Sequence, residues 1–126
     1  MGTDIHGWVE RKVGQKWVSE CQLTELGARR DYERFAALAG VRGDGPKPLG
    51  APADIADTTR LSLDGWGVDA HSCSWLSLAE ATSIFLKTAC GLSQYDQKYP
   101  TDAFFGVSVT DRGDEHGRRL VFWFDN

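Results

Sequence analysis

Basic charge is scarce in this sequence: 14 Lys+Arg stand against 18 Asp+Glu over 126 residues, a net charge of -4. Direct binding to a nucleic-acid backbone is therefore not expected, because neutralising phosphates takes a basic face. No apolar run comes near the length of a membrane span, so no membrane partner is expected. The opening Met1-Gly2-Thr3-Asp4-Ile5-His6 has neither a basic start nor an apolar h-region, which argues against a secretory signal. His6 also stands where a myristoylation site wants Ser or Thr. Cysteine is rare. Cys21, Cys73 and Cys90 are odd in number, scattered and without CxxC spacing. That excludes a disulfide framework and a cysteine-rich zinc site, and it leaves small apolar fillers in a reducing, cytoplasmic setting. What remains is the composition of one globular domain over residues 1–126, 41% hydrophobic and 25% charged. Such a chain buries about two-thirds of its unfolded surface without staples.

The hydrophobic pattern predicts an α+β fold. Residues 3–12 alternate, with Ile5, Gly7 and Val9 on one face and Asp4, His6, Trp8 and Glu10 on the other. Gly14-Gln15 makes a turn into a return strand over 16–20, giving an N-terminal β-hairpin. From Ala28 to Ala39 the spacing turns helical, with Tyr32, Phe35, Ala36 and Ala39 on one stripe, Arg34 largely outside it, and Gly40 as the stop. A long Gly/Pro/Asp-rich loop over 43–67 follows, ending near the polar-aromatic cluster Asp69-Ala70-His71-Ser72-Cys73-Ser74-Trp75. Ser77-Leu78-Ala79-Glu80 has capping-box spacing and opens a second helix, with Leu78, Ala81, Phe85 and Ala89 on its apolar face and Gly91 as its close. Residues 104–110 and 119–124 read as a C-terminal β-hairpin. The two hairpins then form one antiparallel sheet with two helices packed on one face.

The histidines carry the most chemistry. Each of the 3 has an aspartate two residues before it: Asp4/His6, Asp69/His71 and Asp114/His116. On a strand, residues i and i+2 share a face, so a carboxylate and an imidazole stand side by side. Asp4, His6, Asp69 and His71 together would make a mixed nitrogen and oxygen site for a divalent metal ion; alternatively a carboxylate orients His71 as a base, with Asp69 and Ser72 as further catalytic candidates. An ordinary ion pair on a strand is the plainer reading of Asp4/His6, and a solvated turn that of Asp114/His116. Cys73 lacks an electropositive setting for a nucleophile, and Gly43-Asp44-Gly45 is no phosphate loop. Arg29, Arg30, Arg34 and Arg42 cluster on or after the first helix and could receive a phosphate or an acidic partner, unless they form a solvated face. Of the tryptophans, Trp17, Trp75 and Trp123 are expected in the core, whereas Trp66, in the loop, would anchor a partner or stack on a base.

Three segments together carry a resemblance: Met1-Gly2-Thr3-Asp4-Ile5-His6, the run from Arg30 through Tyr32 to Arg42, and Asp69 through Leu76. This pattern resembles a family of small phage and prophage proteins with G-x-D-I-H, R-[DN]-Y-x-x-F-A-x-L-A-x-V-R and H-S-x-S-W-L motifs. The resemblance implies a phage-type accessory protein acting in the bacterial host cytoplasm. It draws attention to Asp4, His6, Tyr32, Arg42, His71, Ser72 and Trp75. The expected role is inhibition of a host-defence component, by binding it or its nucleotide signal, with Tyr32, Arg34, Arg42, Trp66 and Trp75 as the ligand or partner contacts. The alternative is a small metal-dependent hydrolase of a phosphate ester or nucleotide. Pairing of sheet edges leaves a homodimer open.

Overall fold

The computed structural model describes residues 2–109 and 117–126. Its framework is a four-stranded antiparallel sheet in the order β2-β1-β4-β3, with β1 at Asp4–Val13, β2 at Lys16–Gln22, β3 at His71–Ser77 and β4 at Arg118–Asp125. The N-terminal hairpin forms as the alternation predicts, turning at Gly14 with φ 63°. Strand β4 lies between β1 and β3, so both of its edges are paired, and helices cover it on both faces. That is why Leu120-Val121-Phe122-Trp123-Phe124 is an unbroken apolar run and buried throughout.

One face of the sheet carries Ile5, Val9, Leu120, Phe122 and Phe124 into the main core. It is closed by α1 (Tyr32–Ala39), α3 (Leu78–Thr88) and α5 (Pro100–Phe105), which contribute Phe35, Leu38, Leu78, Phe85, Phe104 and Phe105. Asp31 caps α1 by accepting from the Arg34 N–H at 3.1 Å, and Gly40 ends it in the left-handed region at φ 68°. Ser77 caps α3 by accepting from the Glu80 N–H at 3.2 Å. This helix ends at Thr88, before the expected Gly91.

The C-terminal segment departs from the expected hairpin. Pro100–Phe105 is helical, with Pro100 in its first turn and Gly106 as its left-handed cap, and β4 pairs with β1 and β3 instead. The reason is packing. Phe104 and Phe105 are neighbours that are both fully buried against Phe85, at centroid distances of 5.5 and 4.9 Å, which strand alternation would forbid on a one-sided sheet. A five-residue helix α4 (Gln94–Lys98) precedes it. The Asp114/His116 pair lies outside the described residues.

The opposite face of the sheet is covered by α2 (Asp57–Trp66), followed by a short 3-10 turn at Gly67–Asp69. All of α2 falls inside the stretch 43–67 expected to be loop, and helices therefore flank the sheet on both sides. The helix has Ala56 at its N-cap and no side-chain cap of its own. The capping groups come from the sheet. The Ser19 hydroxyl of β2 accepts the Thr59 N–H at 3.0 Å, and the Glu10 carboxylate of β1 accepts the Ala56 N–H at 3.0 Å. These are the two bonds of a capping box, supplied across space. The chain leading to α2 is fitted closely as well. A Cβ on Gly45 would collide with the Ala36 carbonyl, and the Gly50 N–H donates to the Cys73 carbonyl at 2.8 Å along the outer edge of β3.

Glu10 is fully buried. Its second oxygen accepts from Arg119 Nε at 2.7 Å, across the β1–β4 register that sets Glu10 opposite Arg119. Arg119 in turn donates to the Asp54 carboxylate at 3.0 Å and carbonyl at 3.2 Å, and its guanidinium lies 4.0 Å from the Trp17 ring centroid and 5.6 Å from that of Trp75. Arg119 thereby holds the Asp54 carboxyl below the usual carboxylate range. Removing one partner of a buried pair leaves the other charge uncompensated, at a cost of about 3–5 kcal/mol. Glu10→Ala should lose stability of that order in urea unfolding. Asp54→Asn, at an exposed carboxylate, should lose far less. Equal losses would contradict this ranking.

Candidate functional site

Strand β1 runs further than its neighbour at one end of the sheet. β2 stops at Gln22, opposite Trp8, while β1 begins at Asp4. The step leaves a half-open cavity of about 330 Å³, lined by Ile5, His6, Gly7, Trp8, Gln22, Leu23, Ala28, Ser62 and Trp66. Ser62 and Trp66 are one helical turn apart on α2, so both face the cavity.

His6 is the chemical centre of this wall. Its Nε2 lies 2.9 Å from Asp125 Oδ1, with side-chain exposures of 27% and 23%. A carboxylate only accepts, so Nε2 carries the proton and Nδ1 is the acceptor of the neutral ring. Trp66 stacks on the imidazole at 4.0 Å and 29°, and Trp123 lies tilted on it at 6.3 Å. The indole N–H groups of Trp8 and Trp123 are buried without a partner among the described residues. The aspartate paired with His6 is thus Asp125, not Asp4. Arg30 donates to Asp4 through Nε and Nη2 at 3.1 and 2.9 Å, and that bond and charge raise the pKa of Arg30.

The second D-x-H pair is elsewhere. Asp69 is exposed on the 3-10 turn. His71 pairs with Phe124 on β4, with ring centroids 6.2 Å apart, and Phe124 packs on Phe35 of α1. His6 contacts Trp123. Trp123 and Phe124 are consecutive on one strand and point to opposite faces of the sheet, which separates the two imidazoles. The quartet Asp4, His6, Asp69 and His71 is therefore not brought together. Among the described residues no group of three or more His, Cys, Asp or Glu side chains is placed to hold a metal ion. His71 Nδ1 lies 3.0 Å from Ser72 Oγ, and its Nε2 is buried without a partner among the described residues. Ser72 takes a left-handed φ of 55° in the bulge of β3, a strained conformation for serine.

The other expected contacts divide between core and site. Arg34 is buried, contrary to its expected place on a solvated or ligand-facing side. It donates to Thr88 Oγ1 and the Phe85 carbonyl at 2.9 and 3.2 Å and stacks over Phe85, and burial works against its charge. Arg42 donates to Thr3 Oγ1 at 3.0 Å and covers the Tyr32 ring, while the Tyr32 hydroxyl accepts from the Thr3 N–H at 3.3 Å. These residues tie the N-terminus to α1. Trp75 and Trp17 are half-buried beside Arg119, and Trp123 is in the interior as expected. Trp66 belongs to a helix, half-buried on His6. Asp125, Ser62 and Ile5 were not legible as site residues, because only strand register and the docking of α2 bring them there.

No family model, curated protein or solved structure matches the chain. No helix among the described residues is long and apolar enough to cross a membrane.

The cysteines are free. Burial pushes the Cys73 thiol up to about 11, and burial followed by the charge of Glu20 raises Cys21, whose thiol also donates to the Phe105 carbonyl at 3.0 Å. At pH 8 about a thousandth of Cys73 is thiolate. Iodoacetamide at pH 8 should therefore label exposed Cys90 first in the folded protein, and all three cysteines after denaturation, read by mass spectrometry. Native labelling of Cys73 as fast as Cys90 would contradict the burial argument.

Proposed function

We propose that this chain is a binding protein that holds a small planar ligand of the nucleobase class in the His6–Trp66 cavity. In that role a phage-type accessory protein would withdraw a nucleotide signal from a bacterial host defence. The observation that carries the reading is the cavity itself: a tautomer-fixed imidazole and two tryptophans line one wall, beside a strand edge that has lost its neighbour. Aromatic walls supply area for a flat ring, and a few placed polar groups orient it. The resemblance to small phage proteins is what joins such binding to host defence.

The His6–Asp125 pair favours one other use. With Nε2 held by a carboxylate, Nδ1 is placed as a general base for hydrolysis of a phosphate ester. That reading draws on His6 and Asp125 alone, since the metal quartet is dispersed.

Tryptophan fluorescence titrated with nucleosides and nucleotides tests the proposal. Saturable quenching is expected, and Trp66→Ala should weaken it by about tenfold or more, in line with the loss of a base–aromatic contact. Absence of any response at millimolar ligand would overturn it. Phosphate release that vanishes in Asp125→Asn would replace sequestration by hydrolysis.

A further inference from the structure

Beside the Trp8 indole N–H, the Ile5 peptide edge is a further polar feature of the cavity wall. The last bond across the β1–β2 gap is Leu23 N–H to the Gly7 carbonyl, at 3.3 Å. In an antiparallel sheet a residue directs its N–H and C=O to the same side, and residues two apart agree. Gly7 faces the β2 side, and so does Ile5. The even-numbered residues face β4, as Lys12 N–H donating to the Gly117 carbonyl at 3.0 Å bears out. Ile5 is 2% exposed and lines the cavity, and no loop or side chain among the described residues bonds its peptide edge. Buried peptide groups are nearly always paired. The cavity borders this edge, so a bound ligand can supply the partner.

We propose that the Ile5 N–H and C=O read the hydrogen-bonding edge of the bound base, an inference that rests on the nucleobase reading above. A strand residue offers a donor and an acceptor side by side in one plane. Cyclic amides and amidines, the edges of the common bases, present the complementary acceptor and donor. A peptide strand carries the same pair of groups, but its lane is closed. Leu23 already occupies the position beside Gly7, and Leu23, Ala28 and Trp66 wall the space. At about 330 Å³ the cavity is also at the small end of ligand pockets. A ring fits this box better than a chain. Because every common base has such an edge, the site selects for an unblocked edge and not for one base.

The test is a titration of the whole chain with the four ribonucleosides and their edge-methylated forms, N6,N6-dimethyladenosine among them. It is followed by Trp fluorescence and by the Ile5 amide resonance. The expected result is a shift of the Ile5 amide on binding, slower exchange of its proton, and at least about tenfold weaker binding of the methylated forms. Fluorescence quenching that is equal for blocked and unblocked bases, or binding that leaves the Ile5 amide unmoved, overturns edge reading while the nucleobase site stands. No response to any nucleoside overturns both.

Discussion

Glu10 divides its two oxygens between the Arg119 guanidinium and the Ala56 N–H, and the second helical layer follows from that division. The carboxylate is inside the protein because the β1–β4 register puts it opposite Arg119, on the face that Trp17 and Trp75 shield. A charge so placed needs every one of its hydrogen bonds satisfied. One of them is available only if the chain at 54–56 folds back over the sheet. The approach to α2 is therefore dictated by a polar requirement. Apolar burial contributes little there, since Thr59 is the one buried residue of that helix.

Held at its start by Glu10 and Ser19, α2 spans about 15 Å before it ends at Trp66. The second attachment is the stack of Trp66 on His6. Between these points the helix is anchored by few buried groups, and elements of that kind open at lower free energy than a core strand. The cavity thus has a firm side, made by β1, and a more easily lifted side, made by the C-terminal half of α2. Access for a ligand and closure over it would draw on the same weak layer.

The parts of this fold that rules local in sequence can reach were legible. The N-terminal hairpin, the end of the first helix at Gly40 and the Ser77 cap each follow from residues within a few positions of one another, whereas that helix, expected from Ala28, begins only at Tyr32 behind the Asp31 cap. Helix α2 escaped because its capping box is split among Ser19, Glu10 and the helix itself, far apart in sequence. Phe104 and Phe105 were misread as strand because an apolar pair does not state its period; only their joint burial on Phe85 settles it as helix. The D-x-H pattern was half informative. The same-face rule does place Asp4 and His6 on one side of β1, yet partners across the sheet decide what each does. Arg30 reaches Asp4 first, and Asp125, diagonal to His6 across the β1–β4 register, takes the imidazole.

Charge sets a further constraint on any ligand of the cavity. Among the described residues no lysine or arginine lines it, and the chain as a whole is at -4. Arg30 stands near the same end of the sheet, but it is already committed to Asp4. A phosphate would have to displace that carboxylate and would gain little, since an exposed ion pair is worth about 0–1 kcal/mol. Affinity in such a site comes from the ring and its edge, through the indole wall, the Asp125-held imidazole and the peptide group of Ile5. A nucleotide would then be gripped by its base, with its phosphates left toward solvent, where they add charge to an already acidic surface.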